Sequence, residues 1–134
     1  MNSLKGHITG MQSEGSLTMV HVDLEGNLPL EVMVIDTPET VNYLRNGREI
    51  EVLFKETELI LSREAIPNIS VHNRIPCRVY RLEEGKILTR IYLNSEAGPM
   101  TALLPTTALS TMQLTEGTAL TALVKFNEIM LASR

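Results

Sequence analysis

Apolar residues recur at every second position along much of this chain. Thr18, Val20, Val22 and Leu24 fall on one face of residues 16–24, the period-two signature of a strand with one buried face. Leu30, Val32 and Val34 form a second stripe, and Ile50, Val52 and Phe54 a third. The pattern returns later as Ile87, Thr89, Ile91 and Leu93, then Met100, Ala102 and Leu104, then Leu120, Ala122 and Val124. Glu14-Gly15-Ser16, Glu25-Gly26-Asn27 and Glu83-Glu84-Gly85 supply the turns between strands. A helix is predicted over residues 37–44, with Thr37 as N-cap and Pro38 at the first helical position, where its missing N–H costs nothing. Residues 106–112 take that place in the second half, and Gly47 and Gly117 open the turn into the strand that follows. Alternation puts Ile50, Val52 and Phe54 inside and Glu49, Glu51, Leu53 and Lys55 outside. By the same count Thr121, Leu123 and Lys125 face out in the second half.

The two halves are copies of one another. Residues 44–55 match residues 114–125 at a spacing of 70, and Glu58-Leu59-Ile60-Leu61 matches Glu128-Ile129-Met130-Leu131. Asn2 aligns with Asn73 and Leu4 with Ile75 at a spacing of 71, which implies one single-residue insertion near the first strand. The copies run over residues 1–65 and 69–134, with the joint at Ala65-Ile66-Pro67-Asn68, where proline disfavours regular continuation. Such a period is too long for a solenoid and suits a duplicated small domain. The fold expected is mainly β: two tandem OB-like five-stranded β-barrels, each with one short helix.

Composition narrows the function. The chain has 134 residues, 43% of them hydrophobic but only 4% aromatic and none Trp, so its core rests on Val, Ile, Leu and Met. The net charge of -4 argues against a surface that grips nucleic acid backbone. Tyr43, Phe54, Tyr80, Tyr92 and Phe126 are too sparse for a base-stacking platform. No direct nucleic acid partner is expected, and any anion site must be local. Cys77, the single cysteine, makes neither an internal disulfide nor a zinc cage, and reads as a buried apolar side chain in a reducing compartment. No basic stretch followed by an apolar core opens the chain, and no apolar run is long enough to span a bilayer. The expectation is a cytoplasmic protein without a membrane partner. His7, His21 and His72 lack metal-ligand spacing, and His21 with Asp23 reads as a surface pair. Nucleophile motifs, phosphate loops and dinucleotide turns are absent, so the chain is read as a non-enzyme with no covalently bound cofactor.

Two local features carry candidate chemistry. Lys55 and Lys125 end equivalent strands. Each reads either as a solvated strand-end lysine or as a point charge for an anion. Ser70-Val71-His72-Asn73 precedes the first strand of the second copy. Small polar residues there mark an ordinary turn, or can aim successive backbone N–H groups at one anion. Leu53 and Leu123, each two residues before its lysine, suggest a contact surface.

The order and spacing of Ser70-x-x-Asn73-x-Ile75, Val79, Met100-Thr101-Ala102-Leu103-Leu104, Leu114-x-x-Gly117, Thr121-Ala122-Leu123-Val124-Lys125 and Glu128-Ile129-Met130-Leu131 resemble a Mop domain. These are the molybdate-binding domains of the molbindins, related to the TOBE domains of transporter ATPases. The first copy is similar through Asn2-Ser3-Leu4-Lys5-Gly6, Leu44-x-x-Gly47 and Val52-Leu53-Phe54-Lys55-Glu56-Thr57-Glu58. The resemblance implies an OB-like barrel per copy and a homo-oligomer, with a trimer favoured. It further implies an oxyanion ligand, molybdate or tungstate, held at subunit interfaces by backbone N–H groups, a hydroxyl and a lysine. Carried over, the binding residues are Ser70, Val71, His72 and Lys125, with Thr101 and Lys55 as further candidates. Three positions depart from the family pattern: His72 replaces a common arginine, Cys77 stands where the first copy keeps Gly6, and the first copy has no counterpart of Ser70. Two readings follow. One is a store or buffer for molybdate or tungstate. The other is a TOBE-like interaction or sensing module that has lost or reduced oxyanion binding.

Overall fold

The computed structural model describes residues 1–134. Ten strands form in chain order: β1 (Asn2–Glu14), β2 (Leu17–Leu24), β3 (Leu28–Val34), β4 (Glu49–Phe54), β5 (Ile60–Ser62), β6 (Arg74–Glu84), β7 (Leu88–Asn94), β8 (Met100–Pro105), β9 (Ala119–Leu123) and β10 (Met130–Ser133). They make two five-stranded antiparallel sheets, ordered β10-β4-β1-β2-β3 and β5-β9-β6-β7-β8. The architecture is mainly β, as the alternating pattern implied.

Each sheet takes one strand from the other half of the sequence. β5, at the end of the first copy, pairs with β9 through Ile60↔Leu123, Leu61↔Ala122 and Ser62↔Thr121. β10, at the end of the second copy, pairs with β4 through Met130↔Leu53 to Ser133↔Ile50. The chain crosses between sheets in two equivalent short turns. The Glu58 N–H bonds the Lys55 carbonyl in one, and the Glu128 N–H bonds the Lys125 carbonyl in the other, each at 3.0 Å. The crossing turns are tied to the opposite sheet, the first by an Arg90–Glu56 ion pair at 2.6 Å and the second by the Met33 N–H on the Phe126 carbonyl at 3.2 Å.

The expected inner faces are largely inner. Thr18, Val20, Val22, Leu24, Leu30, Val32, Ile50, Val52, Phe54, Ile91, Leu93, Met100, Ala102, Leu120, Ala122 and Val124 are all buried. Buried residues of both halves belong to one continuous cluster, so the copies share a single core. Three facing assignments fail. Ile87 is exposed because it lies in the turn before β7, where its carbonyl accepts the Thr106 N–H at 2.8 Å. Leu123 is buried, as is its neighbour Thr121. The exchanged β5 lies alongside Leu123, and the linker after it crosses that face, its Ala65 carbonyl accepting from the Thr121 hydroxyl at 3.1 Å.

One helix forms instead of two. Residues 107–111 make the short helix α1 (Thr107–Thr111), where the second copy was expected to have one. Residues 37–44 make turns. The roles expected of their side chains are reversed: the Thr40 hydroxyl accepts from the Thr37 N–H at 2.8 Å and donates to the Thr37 carbonyl at 3.0 Å. That local loop closes the first turn on itself, and the Arg45 guanidinium takes the Leu44 carbonyl and the Pro38 carbonyl, the latter an acceptor that a helix would have used. Threonine competing for the backbone in this way disfavours helix.

β1 and β6 each carry a bulge at matching places, between Ile8 and Gly10 and between Val79 and Arg81. In both, the residue before the bulge is clamped to the turn that opens the next paired strand. The Gly47 N–H bonds the Ile8 carbonyl and the Gly117 N–H bonds the Val79 carbonyl, both at 2.7 Å. Gly47 and Gly117 have φ of 84° and 90°, a backbone region that favours glycine. Bulges sharpen the bend of such long strands.

Candidate functional site

Asparagine side chains join the two halves at two matching points. Asn73 accepts the Glu31 N–H on its Oδ1 and donates from Nδ2 to the Glu31 carbonyl, both at 2.8 Å. Asn2 does the same to Thr101, accepting its N–H at 2.7 Å and donating to its carbonyl at 2.9 Å. β3 and β8 are the outer strands of their sheets. A primary amide, with an acceptor and donors side by side, completes one rung of an edge ladder just as a neighbouring strand would. Both asparagines are buried. The repeat spacing of 71 between them therefore marks a structural joint as well as a motif position.

At the Asn73 joint, a small concavity of about 40 Å³ opens between Glu31, residues 70–73, Lys125 and Phe126. Four of the six expected site residues, Ser70, Val71, His72 and Lys125, meet there. The segment is held from three sides. Asn73 grips β3, the Asn73 carbonyl accepts the Val124 N–H at 3.3 Å, and Arg74 donates to the Val71 carbonyl at 3.3 Å and the Pro67 carbonyl at 2.9 Å. The backbone N–H groups of Ser70, Val71 and His72 donate to no acceptor within the chain. The Ser70 hydroxyl is free of protein partners, and Lys125 is exposed and in no ion pair. A fixed loop with unpaired N–H groups, a hydroxyl and an ammonium on one small pocket is a set of donors suited to an anion.

Thr101 and Lys55 lie elsewhere, at the Asn2 joint. Thr101 is on β8 with its backbone held by Asn2, and Asn2 pairs in register with Phe54, the residue before Lys55. Thr101 is the repeat counterpart of Glu31, and Lys55 that of Lys125. The six residues thus divide between two places related by the duplication, the Asn73 joint and the Asn2 joint. Glu31 and Phe126 were not singled out in the sequence. Glu31 could have been found by carrying Thr101 back by 70 residues, but only if the sheets were known to meet at the asparagines.

A broader hollow of about 440 Å³ adjoins this site, lined by His21, Asp23, Glu31, His72 and Asn73 among others. No three His, Cys, Asp or Glu side chains approach closely enough to hold a metal ion. Cys77 is buried, with its thiol directed at the Leu120 carbonyl at 3.6 Å. Burial pushes the thiol pKa up to about 11, with a backbone hydrogen bond at Ala122 acting the other way. A thiol so placed is a poor nucleophile. Tyr43 is also raised, first by burial and then by the charge of Asp36.

The model of the TOBE domain matches the chain twice, over residues 1–61 and 69–131. No curated protein matches it in sequence. Among solved structures the chain is similar to the cytoplasmic molybdate-binding protein ModG, in a PEG-grown crystal form with molybdate bound. The TM-score is 0.91 at 20% sequence identity, covering 99% of this chain and 96% of that one, which shows a shared fold.

Proposed function

We propose, from the premise that this chain belongs to the TOBE domain family through both of its halves, that it is a cytoplasmic, non-catalytic binding protein for molybdate or tungstate. The observation that carries this is the meeting of residues 70–72, whose backbone N–H groups are unpaired, with Lys125 on one small pocket. A fully deprotonated tetrahedral dianion asks only for donors, and these groups are donors only. Ser70, Val71 and His72 supply backbone N–H groups and a hydroxyl, and Lys125 the charge. Thr101 and Lys55 at the Asn2 joint form a reduced counterpart. The likeness to a molybdate-binding protein over nearly the full length supports the same ligand class.

The pocket is small in a single chain, at about 40 Å³, which supports completion by a second subunit. Ile60, Ile66 and Ile69 are exposed beside β5 and the linker and suit such an interface. We take the assembly to be a trimer, each sheet bent by its bulge into an OB-like barrel. One feature favours the other reading, an interaction or sensing module with reduced oxyanion binding: Glu31 places a carboxylate in the pocket wall. Calorimetric titration with molybdate, tungstate and sulfate, together with the mass in solution, separates the two. Saturable binding of molybdate or tungstate in preference to sulfate, weakened at least tenfold in Lys125→Ala, is expected of the oxyanion protein. An intact oligomer that gives no heat with any of the three anions would leave the interaction module.

A further inference from the structure

We infer that Glu31 determines which oxyanions the Ser70–Lys125 pocket accepts, disfavouring fully deprotonated dianions relative to oxyanions that carry a hydroxyl. This rests on the reading of that pocket as an anion site.

The argument begins with where Glu31 stands and why it stays there. It lies on β3 between Leu30 and Val32, which are both buried, so its side chain is on the opposite, outer face. Both backbone polar groups of Glu31 are taken by the Asn73 amide at 2.8 Å. This pins the residue beside the loop whose N–H groups would face the ligand. Glu31 is half-buried in the pocket wall, and its carboxylate makes no hydrogen bond or ion pair within the chain. Lys125 in the same wall is equally unpaired.

An ionised carboxylate accepts hydrogen bonds and donates none. Molybdate, tungstate and sulfate, as dianions without protons, can offer it nothing and are repelled at close range. Hydrogen phosphate and hydrogen arsenate carry an O–H that can donate to it while their other oxygens take the N–H groups and Lys125. The carboxylate also competes with any bound anion for the Lys125 ammonium. The second joint serves as an internal control. There the counterpart of Glu31 is Thr101, a neutral residue held by the same amide geometry from Asn2. The duplication thus offers two versions of one position, charged at the Asn73 joint and neutral at the Asn2 joint.

The test is calorimetry at neutral pH on the full-length protein and on Glu31→Gln, titrated with sodium molybdate, sodium sulfate and inorganic phosphate. The expected result is a ratio of molybdate to phosphate affinity at least tenfold higher in Glu31→Gln than in the parent protein, with sulfate rising alongside molybdate. Glu31→Asp should keep the parent ratio. Glu31→Thr, which copies the residue found at position 101, should move it in the same direction as Gln and guards against an effect peculiar to one variant. Thermal melting of each variant checks the fold. A parent protein that binds molybdate with a ratio unchanged in both neutral variants overturns the role of Glu31 and leaves the anion site standing. Failure of the parent and both neutral variants to bind any of the anions overturns the site and this inference together.

Discussion

Single residues in this chain gain their chemistry from what surrounds them, and Cys77 shows how far that can go. Composition marked it as a small buried side chain, and the structure gives the consequence: a thiol pushed from 9.0 up to about 11 by burial. The folded chain keeps this proton when the unfolded chain has lost it. Stability from Cys77 is therefore complete below about pH 9 and is lost as pH rises towards 11, a contribution on the order of 2 kcal/mol. Cys77→Ser, whose hydroxyl does not titrate in that range, should flatten the alkaline fall in denaturant midpoint expected of the parent between pH 9 and 11. An unchanged alkaline slope would count against it. The same burial predicts that a thiol reagent at neutral pH labels the native protein far more slowly than the protein in denaturant. Lys125 is the opposite case, exposed and unpaired, so its removal should cost ligand affinity with little loss of stability.

Between elements, the decisive contacts are the two amide clamps. Asn73 satisfies the backbone of Glu31 on an edge strand and at the same time fixes the start of β6. Asn73→Ala would leave that N–H and carbonyl without their partner, and two such losses cost about 2–3 kcal/mol. A drop of several degrees in melting temperature is expected, with a loss of anion affinity larger than the stability change alone explains, because residues 70–72 lose their anchor. Asn2→Ala should lower stability by a similar amount and leave the Ser70 pocket intact. If both variants affected binding equally, the asymmetry drawn between the joints would be wrong. Packing also explains the departure from glycine at Cys77. A Cβ on Gly6 would lie 2.7 Å from the Asp23 carbonyl oxygen, so β1 and β2 stay close only with glycine there. Gly6 pairs with Leu24, whereas pairing of β6 with β7 begins one step later, at Arg78 with Asn94. The second copy has given up a rung and accommodates a side chain.

Across the whole molecule, the exchange of β5 and β10 makes the halves interdependent. Residues 1–65 carry β1 to β4 but lack β10, which covers the edge of β4, and their own β5 has no β9 to pair with. An unpaired β4 edge and an open core are poor conditions for a small chain. Residues 1–65 expressed alone should therefore yield no folded monomer, by circular dichroism with sedimentation, and should either stay unfolded or associate by trading β5 between copies. Mixing with residues 66–134 should restore structure. A folded monomer from either piece would show that the exchange is dispensable.

Much of this was legible in the sequence. Period-two stripes such as Val20-x-Val22-x-Leu24 and Ile50-x-Val52-x-Phe54 identified strands and inner faces, because a pleated strand with one buried face has no other way to be encoded. The duplication was visible because it is a local pattern repeated at one spacing, and the strand-end lysines Lys55 and Lys125 repeat with it, whereas the pairing of the Ser70 segment with Lys125 came from the resemblance to a Mop domain. What the sequence left open depended on partners distant along the chain. The helix expected at residues 37–44 yielded to Thr40 bonding Thr37, a local competition that propensity does not rank. Leu123 looked exposed because alternation counts faces but does not know that β5 and the linker will cover one. Glu31 had no motif around it, and only the Asn73 clamp brings it to the loop 42 residues away in sequence. The sequence by itself determined the strands, the repeat and the candidate donors, since these follow from side-chain chemistry and short-range periodicity. The tertiary structure decided which half completes which sheet and which carboxylate stands beside the Ser70–Lys125 pocket, since both are set by hydrogen bonds between strands that only folding brings together.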